Sequence, residues 1–202
     1  GSNSDVKWFD IDPCYVFHPL NSYEEGNKII LYVCRQQEAM VGGFQDIYGG
    51  ETTVARLWKW TIDLDLGSVK EEQIDDAPCD FPRIDDRRIG FKNDYGYFTT
   101  LETEVDSLTI GRHLLKYDLA NSKRLTHDLG DNVTGGEVLF VPRSANSSED
   151  DGWAISLAYE AETDRSKLLV IDSQDFESDP VAEIYAPQRV PNGAHGSWIS
   201  KG

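Results

Sequence analysis

Only four histidines occur in the 202 residues, and two of them sit where an imidazole could reach a metal ion. His18 ends an apolar run in YVFHPLNSYEEG, and Pro19 behind it predicts that strand pairing stops there. His195 lies in RVPNGAHGSWIS, where Gly193 and Gly196 allow backbone to approach an ion or another strand closely. Neutral imidazole is the commonest side-chain metal ligand, and nitrogen donors suit Fe, Cu, Ni or Zn. His113, in IGRHLLKYD, and His127, in RLTHDLG, have charged neighbours at strand edges and read as solvated or structural. Two imidazoles alone make an incomplete site, weak and without defined geometry.

His18 and His195 are 177 residues apart, so some architecture must bring them together. A recurring pattern supplies one. LWKWTIDLDLGS around Asp63, LLKYDLANSK around Asp118 and LLVIDSQDFE around Asp172 each run an apolar strand into an Asp, a turn and a second strand. The spacings are 55 and 54 residues, near the period of roughly 40–50 residues that stacked β-sheet blades produce. The period predicts three propeller blades and part of a fourth, and a closed propeller has about four to eight. With no initiating Met, the chain reads as a single partial domain, residues 1–202, of a longer protein. A propeller would bring distant strand ends onto one axis.

Strand signals dominate elsewhere too, in KIILYVC, VARLWKWTIDL, YGYFTTL, EVLFV, GWAISLAYE and KLLVID. NSYEEG, QDIYGGET and SANSSEDDG read as loops, the last too polar for a core. No stretch keeps a helical period, and no apolar run approaches the roughly 20 residues that span a bilayer. The formal charge of −17 would repel phosphate backbones and anionic headgroups, which argues against nucleic acid as a partner. Cys14, Cys34 and Cys79 are odd in number and lack CxxC spacing, so they read as reduced buried thiols of a cytoplasmic protein.

WFDIDPCYVFHPLNSYEEG, CDFPRIDDRRIGFKNDYGY, GGEVLFVPR, EDDGWAISLAYEAETDRSKLLVIDSQDF and PQRVPNGAHGSWI, in that order, closely resemble the C-terminal part of the carotenoid cleavage oxygenases. That family includes stilbene-cleaving dioxygenases and a retinoid isomerase. The resemblance implies an all-β fold, the C-terminal blades of a seven-bladed β-propeller, incomplete in this chain. On its axis it implies an Fe(II) ion held by four histidines and no carboxylate. By motif, His18 would be the third of those ligands and His195 the fourth, with two more upstream. Asp80, in CDFPRID, would accept the outer N–H of His18, and Glu137, in GGEVLFVPR, that of His195. The family most often has Glu in place of Asp80, and one methylene fewer shortens the reach by about 1.5 Å. Asn192, Ala194 and Ser197 also depart from the usual residues and predict a reshaped cavity.

The activity so implied is cleavage of a carbon–carbon double bond in a carotenoid or apocarotenoid by dioxygen, giving two carbonyl products. The partners are then a lipophilic polyene and dioxygen, with peripheral membrane contact of the full-length protein. Phe17, Phe98 and Trp198 are candidate cavity walls, against a plain role as core between blades. Asp85, Asp86, Glu149 and Asp150 are assigned no acid–base role and are expected in turns. Cleavage of a phenolic stilbene-type alkene, or a non-catalytic interaction module with a decayed metal site, are the alternatives. The isolated chain is expected to be inactive and to bind iron poorly.

Overall fold

The computed structural model describes residues 2–38, 54–104 and 107–200, without the side chains of residues 3 and 102–110. QDIYGGET therefore lies outside the described residues. The chain forms three antiparallel sheets in succession. The first contains β1 (Tyr15–Glu25), β2 (Lys28–Gln36), β3 (Arg56–Asp63) and β4 (Ser68–Gln73), in chain order. The second repeats that order with β5 (Cys79–Arg83), β6 (Tyr95–Glu104), β7 (Ser107–Asp118) and β8 (Lys123–Asp128). In the third, the two pieces β9 (Val133–Thr134) and β10 (Leu139–Pro142) both pair with β11 (Gly152–Glu160). Then come β12 (Arg165–Asp172) and β13 (Ala182–Tyr185). These are blades of a β-propeller.

The repeated Asp now has a physical meaning. Asp63, Asp118 and Asp172 each end the third strand of a blade. Asp63 Oδ1 accepts from the N–H groups of Asp65 and Leu66, Asp118 Oδ1 from that of Asn121, and Asp172 Oδ1 from that of Gln174. An Asp side chain that satisfies the next backbone donors starts a turn. The period is therefore one Asx turn per blade. Part of a fourth blade is not formed among the described residues, where no strand follows Tyr185.

The core lies between the blades. Successive strand residues point to opposite faces, so the middle strands of the second blade serve both neighbours. Phe98 and Leu115 join Tyr32, Leu57 and Ile30 of the first blade. Tyr97 and Leu114, one residue earlier in each strand, join Phe140, Ala154 and Ile171 of the third. Phe98, expected as a cavity wall or as core, is fully buried and packs edge-on against Tyr117 at 5.1 Å. It is core. Phe98→Ala is expected to lower the unfolding free energy by about 3–5 kcal/mol, read as a shift of the urea midpoint. A loss below about 1 kcal/mol would show that this layer collapses without cost.

Two expectations need correction. NSYEEG is not a loop, because β1 runs through it to Glu25 with Tyr23 turned into the core. Nor does Pro19 end pairing. It faces Val33, and the ladder slips on either side of it, which is how a strand tolerates a residue with no N–H.

Candidate metal centre

His18, Asp80 and Glu137 come from irregular points in the first strand of a blade, whereas His195 lies on a segment without strand. His18 projects from β1 inside the slip around Pro19. Its Nδ1 lies 2.9 Å from Asp80 Oδ1. Asp80 belongs to β5, whose pairing with β6 slips between Asp80 and Arg83. Within that slip Phe81 adopts φ +54°, a region a bulky residue occupies only when its surroundings force it. The Phe81 N–H donates to Asp80 Oδ1 at 2.9 Å, so the oxygen facing His18 is also anchored to its own strand. The shorter side chain reaches its imidazole after all.

Glu137 occupies the gap between β9 and β10. The chain enters that gap through Gly135 and Gly136, where a Cβ would come within 2.8 Å of Leu114 Cδ2 and 2.9 Å of the Leu157 carbonyl oxygen. Glu137 is held at both oxygens. Oε1 lies 3.0 Å from His195 Nδ1, and Oε2 accepts the Gly196 N–H at 2.7 Å. One carboxylate thus fixes a ring and its backbone together. The strandless segment carrying His195 is also docked by the buried Ser166, whose hydroxyl accepts the Val190 N–H at 2.9 Å.

The two imidazoles come together. Their ring centres are 5.0 Å apart with an interplanar angle of 80°, and the Phe81 ring packs 5.2 Å from His18 and 5.9 Å from His195. A carboxylate only accepts, so Nδ1 of each neutral ring carries the hydrogen and Nε2 the lone pair. Among the described residues neither Nε2 has a hydrogen-bond partner. The hydrogen bond to Asp80 raises the His18 pKa above its ordinary value. Burial opposes that rise, and the charges of Asp80 and Glu137 add to it. The surroundings favour positive charge at the His18 ring.

Such a pair fits a divalent ion with a taste for nitrogen. Two rings bonded at about 2.1 Å to one ion would have centres roughly 4.5–5.5 Å apart, and the observed 5.0 Å falls inside that range. The set is still short of donors. Among the described residues no group of three or more His, Cys, Asp or Glu is placed to hold a metal. His113 and His127 do not join it. His127 is buried with Nδ1 3.0 Å from the Phe176 carbonyl oxygen, and His113 lies 3.8 Å from Asp128.

A family model described as retinal pigment epithelial membrane protein matches residues 1–200. The chain belongs to that family, alongside the carotenoid cleavage oxygenases. A carotenoid cleavage oxygenase of Mycobacterium tuberculosis is 34% identical over 204 residues, covering 98% of this chain and 40% of the relative. Among solved structures, Pseudomonas brassicacearum lignostilbene dioxygenase superposes with TM-score 0.84 at 27% identity, over 96% of this chain and 43% of that one. Cobalt-substituted Synechocystis apocarotenoid oxygenase gives 0.82 at 26%, over 95% and 40%. The chain thus spans about 40% of the length of the relatives it matches.

Two residues of the site escaped the sequence reading. Phe81 touches both imidazoles, and only the run FPR beside Asp80 hinted at an irregular strand. Arg83 reaches Glu137 and the Gly196 carbonyl. Of the expected walls, Phe17 is half exposed with its ring 6.1 Å from His18, and Trp198 is exposed. Asn192, Ala194 and Ser197, expected to reshape a cavity, all line one groove of about 270 Å³ with Leu139, Ile155 and Leu168. Asp85, Asp86, Glu149 and Asp150 do lie in or beside turns, yet SANSSEDDG is not wholly solvated. Glu149 is buried, where its Oε1 accepts the N–H groups of Asp94 and Tyr95, and burial is the largest influence raising its pKa. Cys34 and Cys79 are buried free thiols, and Cys14 is part-exposed.

Proposed function

We propose that this chain supplies two imidazole ligands, His18 and His195, to the Fe(II) of a non-haem dioxygenase. The whole protein would cleave a carbon–carbon double bond of a carotenoid or apocarotenoid with dioxygen, releasing two carbonyl products. One observation carries the reading: two imidazoles 177 residues apart in sequence lie 5.0 Å apart in space, each with its outer nitrogen on a buried carboxylate. Carboxylates placed there fix the tautomer and strengthen the nitrogen donor. Iron, when bound, would supply the dioxygen chemistry that no side chain here can.

The work left to this chain is orientation. In the neutral rings Asp80 and Glu137 hold the Nδ1 hydrogens, which leaves both Nε2 lone pairs for a metal. Apolar residues along the groove, Leu139, Ile155 and Leu168, suit a hydrocarbon substrate and exclude water. Register along such a wall would select the bond that is cut. The further nitrogen donors would come from outside the described residues, so the 202-residue chain alone should bind Fe(II) weakly.

The likeness to lignostilbene dioxygenase favours a second reading, a phenolic stilbene-type substrate. One experiment separates the two. The full-length protein is loaded anaerobically with Fe(II), then given oxygen with an apocarotenal or a hydroxystilbene. Paired aldehyde or ketone products from the apocarotenal are expected. Products only from the stilbene would establish the second reading, and no iron uptake with no cleavage would overturn both.

A further inference from the structure

A single strand, β5, serves both imidazoles. In a regular strand Asp80 and Arg83, three residues apart, would point to opposite faces of the sheet. The ladder slips between them, and Phe81 turns to φ +54° inside the slip. An extra residue of this kind bends a strand and re-aims its side chains. Asp80 reaches His18, and Arg83 reaches the structure around His195.

The contacts of Arg83 are specific. Nη1 lies 3.6 Å from Glu137 Oε1 and donates to the Gly196 carbonyl oxygen at 3.4 Å. Nη2 lies 3.5 Å from Asp86 Oδ1. The guanidinium is therefore drawn between an acid of its own blade and the carboxylate of the next. Glu137 already grips His195 and the Gly196 N–H, and Arg83 adds the opposite side of the same residue. His195 needs that support, because its side chain is 54% exposed and no strand holds its segment.

We infer that Arg83 is a positioning residue that ties the His195 segment to the strand carrying Asp80, and so sets the separation of the two imidazoles. The planar fork of arginine suits a bridge between a carboxylate and a carbonyl, which a lysine ammonium reproduces only as a point charge. This deepens the metal reading and rests on it only where a metal is concerned.

The test uses the 202-residue chain with two readouts. In the metal-free protein, the nuclear Overhauser contact between the ring protons of His18 and His195 is expected to fall severalfold in Arg83→Met. Arg83→Lys is expected to restore part of it. The Co(II) dissociation constant, followed by visible absorption, is expected to rise about tenfold or more in Arg83→Met, the range seen when partners behind metal ligands are lost. The urea midpoint should barely move, since the core between blades is untouched. An undiminished ring contact in Arg83→Met would overturn the inference, even if Co(II) affinity fell, because the arginine would then act through charge alone. Should Arg83→Met fail to fold, Arg83→Gln decides by the same ring contact. Because that contact is read without metal, it tests the role of Arg83 even if Fe(II) loading of the full-length protein fails.

Discussion

On the proposed assignment the full-length protein should hold about one iron per chain, and His195→Ala is expected to leave only a trace of it. The reason is local. His195 is presented on a strandless segment by a single acid, Glu137, and among the described residues no other imidazole is placed to take over its role. His127 is locked against the Phe176 carbonyl and His113 sits beside Asp128, so neither can substitute. After the change Glu137 keeps its bond from the Gly196 N–H, and the backbone should hold. Iron is measured by mass spectrometry of the purified protein, with His113→Ala as the control that should retain it. Iron at the unaltered level in His195→Ala would remove this residue from the ligand set.

A comparably large effect on stability is expected where the second blade meets the third. Lys116 of β7 is 2% exposed and reaches across to the third blade. There it pairs with Asp150 and donates to the Ser173 carbonyl oxygen at 2.6 Å. Asp150 also accepts from the Ser173 hydroxyl at 2.8 Å, and that hydroxyl lies 2.5 Å from the Tyr97 hydroxyl. Asp150→Ala strands a buried ammonium, and breaking such a pair typically costs about 3–5 kcal/mol. Replacing both partners at once, Lys116→Met with Asp150→Leu, should recover most of that loss, since apolar groups of similar size need no counter-charge. Urea unfolding of the parent, the single variant and the double variant gives the comparison. A single variant within about 1 kcal/mol of the parent would mean that water reaches Lys116 freely.

The sequence carried the parts of this structure that are local. Asp63, Asp118 and Asp172 were visible as a repeat because an Asx turn is written in one side chain and the next few backbone donors. The strand Gly152–Glu160 was legible to its ends, since an apolar run between two polar turns bounds it, although the side chains it buries are the small ones, Ala154, Ser156 and Ala158. What stayed hidden is long-range. Pro19 looks like a strand end until Val33 is seen opposite it. Glu149 looks solvated until the N–H groups of Asp94 and Tyr95 close on it from the neighbouring blade. The site shows the same division: the motifs named His18, His195, Asp80 and Glu137, whereas the turn at Phe81 and the reach of Arg83 emerge only once blades are packed.

The alternation at Tyr97 and Phe98, Leu114 and Leu115, and Lys116 and Tyr117 makes the second blade a party wall. Adjacent residues answer to different neighbours, with Lys116 bonded to the third blade and the Tyr117 hydroxyl to Asp75 of the first. Such a wall cannot melt by itself, since opening it strips both adjoining layers at once. In the 202-residue chain taken alone, fraying is expected to begin at the first and third sheets and travel inward, so the amides of β6 and β7 should exchange last with deuterium. Transplanting a foreign blade into this position would demand two recut surfaces rather than one.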